Sequence, residues 1–211
     1  LELILAQTTS AQSASIQATS TPAASTRPTS TQADTLQLGY RAVALLNNDT
    51  LVQPGWLAAL DAALAPEQGI AMVASALYKL AQPEQVDSLG IVLYRSGIAS
   101  NRLDPATPLL GPCGGGALYS CELLRAVQAL DTTGQVFDPH FFCYAEDTDL
   151  ALRARALGYR CAFAPDAMLD HHGGLASGGG GLNPFIAYYG LRNSLFALIK
   201  NLPAGFIARN L

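Results

Sequence analysis

The chain has 211 residues, which fits one domain or a large part of one. Half of the residues are hydrophobic and 13% are charged, a balance that argues against a wholly disordered chain. Lys and Arg number 12 against 16 Asp and Glu, so the net charge is −4 and we expect no nucleic-acid partner.

The cysteines are widely spaced, at positions 113, 121, 143 and 161. Zinc ribbons and redox dithiols need close pairs, so this spacing favours a reducing compartment. Uninterrupted apolar stretches stay below the roughly 18 residues that cross a bilayer, and the first residues lack the order of a secretory signal. The sequence therefore predicts a soluble or peripheral protein.

Residues 8–35 form a low-complexity tract, in which Thr, Ser, Ala and Gln make up 23 of 28 residues. Such a composition cannot bury enough apolar surface to offset its ordering entropy. We expect residues 1–35 to be a disordered N-terminal segment, in which residues 1–5 alternate weakly enough for one lone strand. Residues 36–203 would form the folded domain and 204–211 a C-terminal tail.

Beyond residue 36, short apolar runs alternate with segments of helical spacing. Four runs predict buried strands, at residues 43–46, 70–74, 117–119 and 161–164, the last ended by Pro165. Helices are expected from Pro54 to about residue 64, from 122 to 130 and from 146 to 157. Strands that alternate with helices predict an α/β domain with a mainly parallel open sheet flanked by helices.

The first polar cluster, Asn47-Asn48-Asp49, directly follows the strand at 43–46. A carboxylate at the carboxyl end of a strand is well placed to hold a divalent cation that also touches a diphosphate. The same three residues suit an ordinary turn, because their side chains cap their own backbone. The residues alone leave both interpretations open.

A second cluster, Glu146-Asp147-Thr148-Asp149, opens the helix predicted at 146–157. Helix N-termini favour acidic side chains, so capping accounts for one or two of the three carboxylates. The preceding segment 137–144 is strongly aromatic. A carboxylate beside an apolar wall has a raised pKa that suits a general base.

A third cluster, Asp170-His171-His172, follows the last predicted strand. Histidine is the commonest transition-metal ligand and also a frequent surface residue. Between the first two clusters lies a glycine-rich loop at 111–117, where a ligand could approach the backbone closely. The loop matches neither the phosphate-binding loop with its Lys nor the dinucleotide fingerprint.

In this order the motifs resemble the family-2 glycosyltransferases of the GT-A, metal-using type, in particular the rhamnosyltransferase-like members. The resemblance covers about residues 40–203. The matching segments are Leu45 to Thr50 with Pro54-Gly55-Trp56-Leu57, Asp87-Ser88-Leu89-Gly90, Gly114 to Ala117, Phe137 to Leu150 with Arg153, Gly158-Tyr159-Arg160, Pro165-Asp166-Ala167, His171-His172-Gly173 and Tyr189 to Asn193.

The resemblance implies an inverting glycosyltransferase that moves a sugar from a nucleotide-diphosphate donor to a hydroxyl of a glycan or lipid-linked acceptor. Asp147 would be the general base, with Glu146 beside it. Mg²⁺ or Mn²⁺ would be held by Asp49 and His171, with His172 as the alternative ligand. The donor would contact Asn47, Asp49, Gly115 and Arg192.

One departure from the family pattern concerns the nucleotide. The family's first half supplies two or more strands and an aspartate that grip the base and ribose, whereas here it is reduced to residues 1–5 and the low-complexity tract. The first carboxylate of the family's acidic pair is also Asn47 here. Two alternatives therefore stay open: a catalytically inactive or truncated binding module and, less favoured, a metal-dependent phosphoesterase.

Residues 185–199 crowd apolar side chains around Arg192, a pattern too interrupted to span a bilayer but suited to lie at its surface. Packing on the domain core is the alternative. Family members often act on lipid-linked acceptors in bacterial cell-wall or polysaccharide biosynthesis. We therefore expect a cytoplasmic protein in peripheral contact with the inner face of the membrane.

Overall fold

The computed structural model describes residues 3–8, 15–18, 40–132, 134–172 and 183–210. Within these ranges the strands are β1 Leu3–Thr8, β2 Ser15–Ala18, β3 Ala42–Asn47, β4 Thr50–Val52, β5 Ile70–Lys79, β6 Gln82–Ser88, β7 Ile91–Leu93, β8 Ala99–Asn101, β9 Gly116–Ser120 and β10 Arg160–His171. The α-helices are α1 Trp56–Ala63, α2 Cys121–Leu130, α3 Glu146–Ala156, α4 Pro184–Asn201 and α5 Ala204–Asn210, and short 3₁₀ helices cover Pro66–Gln68 and Pro139–Phe141.

The main sheet has the strand order β2-β1-β3-β9-β5-β10-β4, with β6 paired to β5, while β7 and β8 form a separate two-stranded sheet. β1 pairs with β3 and β5 with β10 in parallel. β9 lies between β3 and β5 and is antiparallel to both. The strands β1, β3, β5 and β10 therefore point the same way, so the carboxyl ends of β3 and β10 lie at one edge of the sheet.

The prediction of an α/β domain is confirmed, but that of a mainly parallel sheet is wrong. Among the described strands, two pairs of the main sheet are parallel and five are antiparallel. The helical crossover through α1 does return the chain in the direction of β3, as the alternation of strand and helix predicts. The pairing differs because β9 inserts between β3 and β5, and no local pattern indicates which strands become neighbours.

Both faces of the sheet are buried, and alternate residues of β3 contribute to two separate apolar clusters. On one face Val43 and Leu45 belong to the cluster that α2 and α3 complete. On the other face, Leu46 belongs to the cluster that contains Trp56 and Leu60 of α1. Helices therefore cover both faces of the sheet, and the loops at the ends of the strands are the part of the sheet left accessible for a functional site.

The predicted strands and helices are present, with three main differences at their ends. β5 continues to Lys79 rather than ending at residue 74, and its residues stay buried as far as Leu77. α1 begins at Trp56 rather than Pro54, because Gly55 adopts the left-handed conformation (φ 83°) and interrupts the helix before that point. β10 continues through Pro165, and its pairing with β5 shifts register between Phe163 and Met168. An irregularity of this kind accommodates a proline, which has no N–H to donate to the ladder.

The strands β1 and β2 fall within the segment 1–35 that is expected to be disordered. The rest of that segment and residues 36–39 lie outside the described residues, so the three-part division of the chain stays a prediction. Gly173 of the third motif also lies outside them. In the described part of the chain, no helix has both the length and the apolarity needed to cross a membrane.

Candidate functional site

The first cluster and the glycine-rich loop lie against each other at the end of β3. The N–H of Asn47 donates to the carbonyl of Gly115 over 3.2 Å, and Leu46 pairs with Gly116 across the antiparallel ladder. A Cβ at Gly115 would lie 2.7 Å from Leu77 Cδ2. A side chain at 115 would therefore require the buried Leu77 side chain to shift, and its absence lets the backbone of the loop pack closely on the sheet.

The third cluster meets the first across the pairing of β4 with β10, in which His171 is opposite Thr50. His171 Nε2 lies 3.3 Å from Asp49 Oδ1, and the N–H of His172 donates to the carbonyl of Asp49 over 2.9 Å. The structure thus brings together the two side chains that the sequence assigns to a metal. His172 contributes its backbone to this contact.

Asp87 is a member of this group that sequence reasoning did not assign to the site. It lies at the end of β6, and its Oδ2 is 2.7 Å from His171 Nδ1. The hydrogen bond to Asp87 raises the pKa of His171, burial acts in the opposite direction, and the negative charge of Asp49 adds to the increase. The sequence signal for Asp87 was the segment Asp87-Ser88-Leu89-Gly90, which is among the segments that match the glycosyltransferase pattern but was given no function.

Asp49 and His171 supply a carboxylate and an imidazole, which are residue types that could hold a divalent cation. Asp49 Oδ1 is buried and has no hydrogen bond of regular geometry among the described residues. Because Nδ1 of His171 faces Asp87, Nε2 is the nitrogen left for a ligand, which is the usual carboxylate–histidine–metal arrangement. The described residues contain no group of three or more acidic, His or Cys side chains that could hold an ion by themselves.

The second cluster joins the same edge through Asp147. Its Oδ2 accepts the N–H of Gly114 over 2.9 Å, and its Oδ1 accepts the N–H of Thr148 over 2.7 Å. Glu146 precedes it as the first residue of α3, and Glu146 Oε2 is buried without a hydrogen-bond partner among the described residues. The two neighbouring carboxylates therefore have different surroundings.

Burial and mutual repulsion affect the protonation of both carboxylates. Burial, with the negative charge of Asp147 as the second cause, raises the pKa of Glu146 to about 7. Burial also raises the pKa of Asp147, while the N–H groups of Gly114 and Thr148 act to lower it. Hydrogen bonds to the charged form favour ionisation, so these two N–H groups favour the charged form of Asp147, whereas the buried Glu146 Oε2 has no such donor among the described residues.

Asp149, the third carboxylate of the cluster, points away from the site into the protein. It is fully buried, and its oxygens accept hydrogen bonds from Arg153, Lys200 and Asn201. A step of two residues turns about 200° around a helix axis, so Asp147 and Asp149 face different sides of α3. Asp149 is therefore a structural carboxylate.

Arg192 is anchored to the turn that precedes α3. Its guanidinium donates to the carbonyl of His140 over 2.9 Å and to Asn193 Oδ1 over 2.7 Å, and it lies 6.0 Å from the ring centroid of Phe196. The predicted contact with a diphosphate stays a prediction. Asn193 is fully buried and had no assigned role in the sequence, although it belongs to the same C-terminal motif.

No family model matches the chain. It is similar to the uncharacterized protein y4gI of Sinorhizobium fredii, with 33% identity over 146 residues. The matched part is 62% of this chain and 15% of that protein, so the chain spans a small part of this relative. The functional assignment therefore depends on the chemistry of the site.

Proposed function

We propose that this chain carries the metal-binding and bond-forming part of an inverting glycosyltransferase with a GT-A-like fold. The substrates would be a nucleotide-diphosphate sugar and a hydroxyl of a glycan or lipid-linked acceptor. The observation that supports this best is the convergence at one sheet edge of the pair Asp49 and His171 with the carboxylate of Asp147. In open α/β sheets ligands bind at such an edge.

The carboxylate of Asp147 has the properties of a general base. A carboxylate offers about four lone-pair positions. Its hydrogen bonds to the N–H groups of Gly114 and Thr148 leave positions for an acceptor hydroxyl. We propose that Asp147 accepts the proton of that hydroxyl as its oxygen attacks the anomeric carbon and the nucleoside diphosphate leaves from the opposite face, which inverts the configuration.

Asp49 and His171 would hold Mg²⁺ or Mn²⁺ beside the diphosphate of the donor. When bound, this ion supplies Lewis-acid stabilisation of the negative charge that develops on the leaving group. Asp87 fixes the orientation of the His171 ring through its contact with Nδ1. The backbone of the loop at Asn47 and Gly115, together with Arg192, would complete the donor side.

The test uses the full-length protein with Mn²⁺ and a panel of uridine and thymidine diphosphate sugars, and it measures nucleoside diphosphate release by chromatography. Asp147→Asn keeps the shape of the side chain and removes its basicity. We expect release to fall by about 10²-fold or more, because a positioned base contributes roughly 10²–10⁴-fold to rate. Glu146→Gln should cost less, and the melting temperature should change little in both variants.

Asp166→Asn is the matched control, because Asp166 is exposed on β10. Unchanged release in Asp147→Asn would refute the proposed base, and unchanged release in both variants would refute the transferase mechanism. Binding of a nucleoside diphosphate without any turnover would instead identify a binding module. Phosphate release from p-nitrophenyl phosphate would identify a phosphoesterase.

A further inference from the structure

The segment between the 3₁₀ helix Pro139–Phe141 and α3 has an unusual backbone. Phe142, Tyr144 and Ala145 have φ values of 64°, 66° and 63°, and among the described residues they are the non-glycine residues with positive φ. Residues with side chains rarely adopt this conformation unless the surrounding structure enforces it. Ala145 immediately precedes Glu146 and Asp147, so this backbone sets the direction in which both carboxylates leave the helix.

One buried side chain of α4 holds this segment. Nδ2 of Asn193 lies within hydrogen-bond distance of three carbonyl oxygens, those of Phe141 (2.7 Å), Cys143 (2.6 Å) and Tyr144 (2.8 Å). The two N–H groups of one amide are thus shared among three carbonyls of this turn. The carbonyl of Phe141 also accepts the N–H of Cys143, so removal of the amide would take a donor chiefly from the carbonyls of Cys143 and Tyr144, which is unfavourable.

Arg192 determines which end of the Asn193 amide faces the turn. Its guanidinium donates to Asn193 Oδ1, so the oxygen is occupied and the NH₂ group points to the carbonyls. The same NH1 group reaches the carbonyl of His140. Arg192 and Asn193 of α4 therefore both donate hydrogen bonds to backbone carbonyls of this turn.

We propose that Asn193 is a positioning residue, which holds the segment 142–145 with its three positive φ angles and thereby places Glu146 and Asp147 for catalysis, with Arg192 orienting its amide. The catalytic part of this inference rests on the proposed function. Asn193 acts through the turn, because its hydrogen bonds go to the backbone there and not to the Asp147 carboxylate. The consequence for Asp147 is measurable at its hydrogen bond to the N–H of Gly114.

The first measurement is amide hydrogen exchange by NMR, which needs no activity. In Asn193→Ala and in Arg192→Ala, we expect the Gly114 amide to exchange at least about tenfold faster, because exchange follows local opening. The amide of Leu123, bound to the Ser120 side chain at the start of α2, serves as the internal reference and should change much less. Equal acceleration at both amides would indicate general destabilisation and would overturn the proposal.

Arg192→Ala keeps the experiment informative if Asn193→Ala does not fold, since Arg192 is exposed. Arg209→Ala is its matched control, because Arg209 is exposed on α5 and donates to the carbonyl of Gly205. We expect the control to leave the Gly114 amide unchanged. Unchanged exchange in Arg192→Ala as well would overturn the role given to Arg192 in orienting the amide.

The second measurement is the kinetics of nucleoside diphosphate release. Misplacement of a catalytic group by about 1 Å can cost about 10²-fold in rate, so Asn193→Ala should lower kcat by about tenfold or more with little change in the donor KM. A raised KM with unchanged kcat would overturn the catalytic part of the proposal. If the unaltered protein shows no release while Gly114 exchange responds as expected, the turn assignment stands and the proposed function fails.

Discussion

At the scale of single residues, the two adjacent carboxylates at the start of α3 are distinguished by their hydrogen bonds. Asp147 accepts two backbone N–H groups, whereas Glu146 Oε2 is buried without a partner among the described residues. Neighbouring carboxylates titrate as a coupled pair. The two N–H groups favour the charged form of Asp147, while burial and the charge of Asp147 raise the pKa of Glu146.

The raised pKa of Glu146 predicts a pH-dependent stability. The folded chain holds this proton up to about pH 7, whereas an ordinary glutamate loses it near 4.5. The folded state therefore binds more protons between these values, so its contribution to stability is full below about pH 4.5 and is lost as the pH rises through about 7. Glu146→Gln should remove this loss, on the order of 1–3 kcal/mol.

The measurement is urea unfolding of Glu146→Gln and the unaltered chain at about pH 5, near the lower limit of the window in which linkage acts, and at about pH 8, above it. The variant should gain stability relative to the unaltered chain at the higher pH. Glu67→Gln is the control, because Glu67 is exposed on the Pro66–Gln68 turn. A Glu146→Gln difference that does not depend on pH would contradict the raised pKa.

Asp87 gives a second prediction at this scale. Its carboxylate is 2.7 Å from His171 Nδ1 and sets the tautomer that leaves Nε2 free for an ion. Loss of such an outer partner typically lowers metal affinity by about 10–100-fold. Asp87→Asn should therefore weaken Mn²⁺ binding by at least about tenfold, measured by electron paramagnetic resonance of free Mn²⁺. Equal affinity in Asp87→Asn and in the control Asp166→Asn would argue against His171 as a ligand.

At the scale of elements, local patterns predicted the buried strands and the helix with the acidic start. Apolar runs located β3, β5 and β9, and the acidic first turn with Arg153 and Arg155 in the last turn located α3. Two features of the sheet could not be predicted from local sequence patterns. The register shift that carries β10 past Pro165 and the insertion of β9 between β3 and β5 both depend on contacts between distant segments.

The exposed apolar side chains of α4 lead to a prediction of membrane contact. Four exposed apolar residues follow one another at spacings of three and four and share one face: Tyr188, Leu191, Leu195 and Ile199. Leu191 and Ile199 are 68% and 65% exposed. An apolar row on a helix that also carries the exposed Arg192 suits the surface of anionic lipid. We therefore expect the chain to float with phosphatidylglycerol vesicles at low salt.

The variant Leu191→Ser with Ile199→Ser should lower the bound fraction by about tenfold, because each removed side chain contributes roughly 1.5–3 kcal/mol when fully buried in lipid. Leu130→Ser is the matched control, since Leu130 is 70% exposed on α2. Flotation that is equal in the double variant and the control would show that α4 is not the contact surface. No flotation of the unaltered chain would refute membrane contact.

At the scale of the whole molecule, the sequence identified three polar clusters as candidate site residues, and the sheet explains why they meet. Asn47 ends β3, His171 ends β10, and the glycine loop leads into β9, so three distant segments reach one edge. Asp87 and Asn193 were not assigned beforehand. Their contacts with His171 and with the turn before α3 join residues 84 and about 50 positions apart, and no spacing in the chain encodes such pairs.

The link between α3 and α4 depends on one buried carboxylate. Asp149 is fully buried and accepts hydrogen bonds from Arg153 of its own helix and from Lys200 and Asn201 of α4. Lys200 also binds Asp138; burial acts to raise the pKa of that carboxyl, but the hydrogen bonds from Lys200 and His140 outweigh it and lower the pKa to about 2. The network therefore joins the two helices to the turn that precedes α3.

Replacement of Asp149 should lower the stability of the protein strongly and its catalytic rate only slightly. Asp149→Ala leaves buried donors without their acceptor, and loss of one partner from a buried charged network costs roughly 3–5 kcal/mol. We expect the urea midpoint to fall accordingly, while the exposed control Asp166→Ala changes little. At a temperature where Asp149→Ala is still folded, nucleoside diphosphate release should fall far less than in Asp147→Asn, because the side chain of Asp149 points away from the site. A loss of release equal to that of Asp147→Asn in a folded Asp149→Ala protein would place Asp149 in the catalytic machinery and contradict this division of roles.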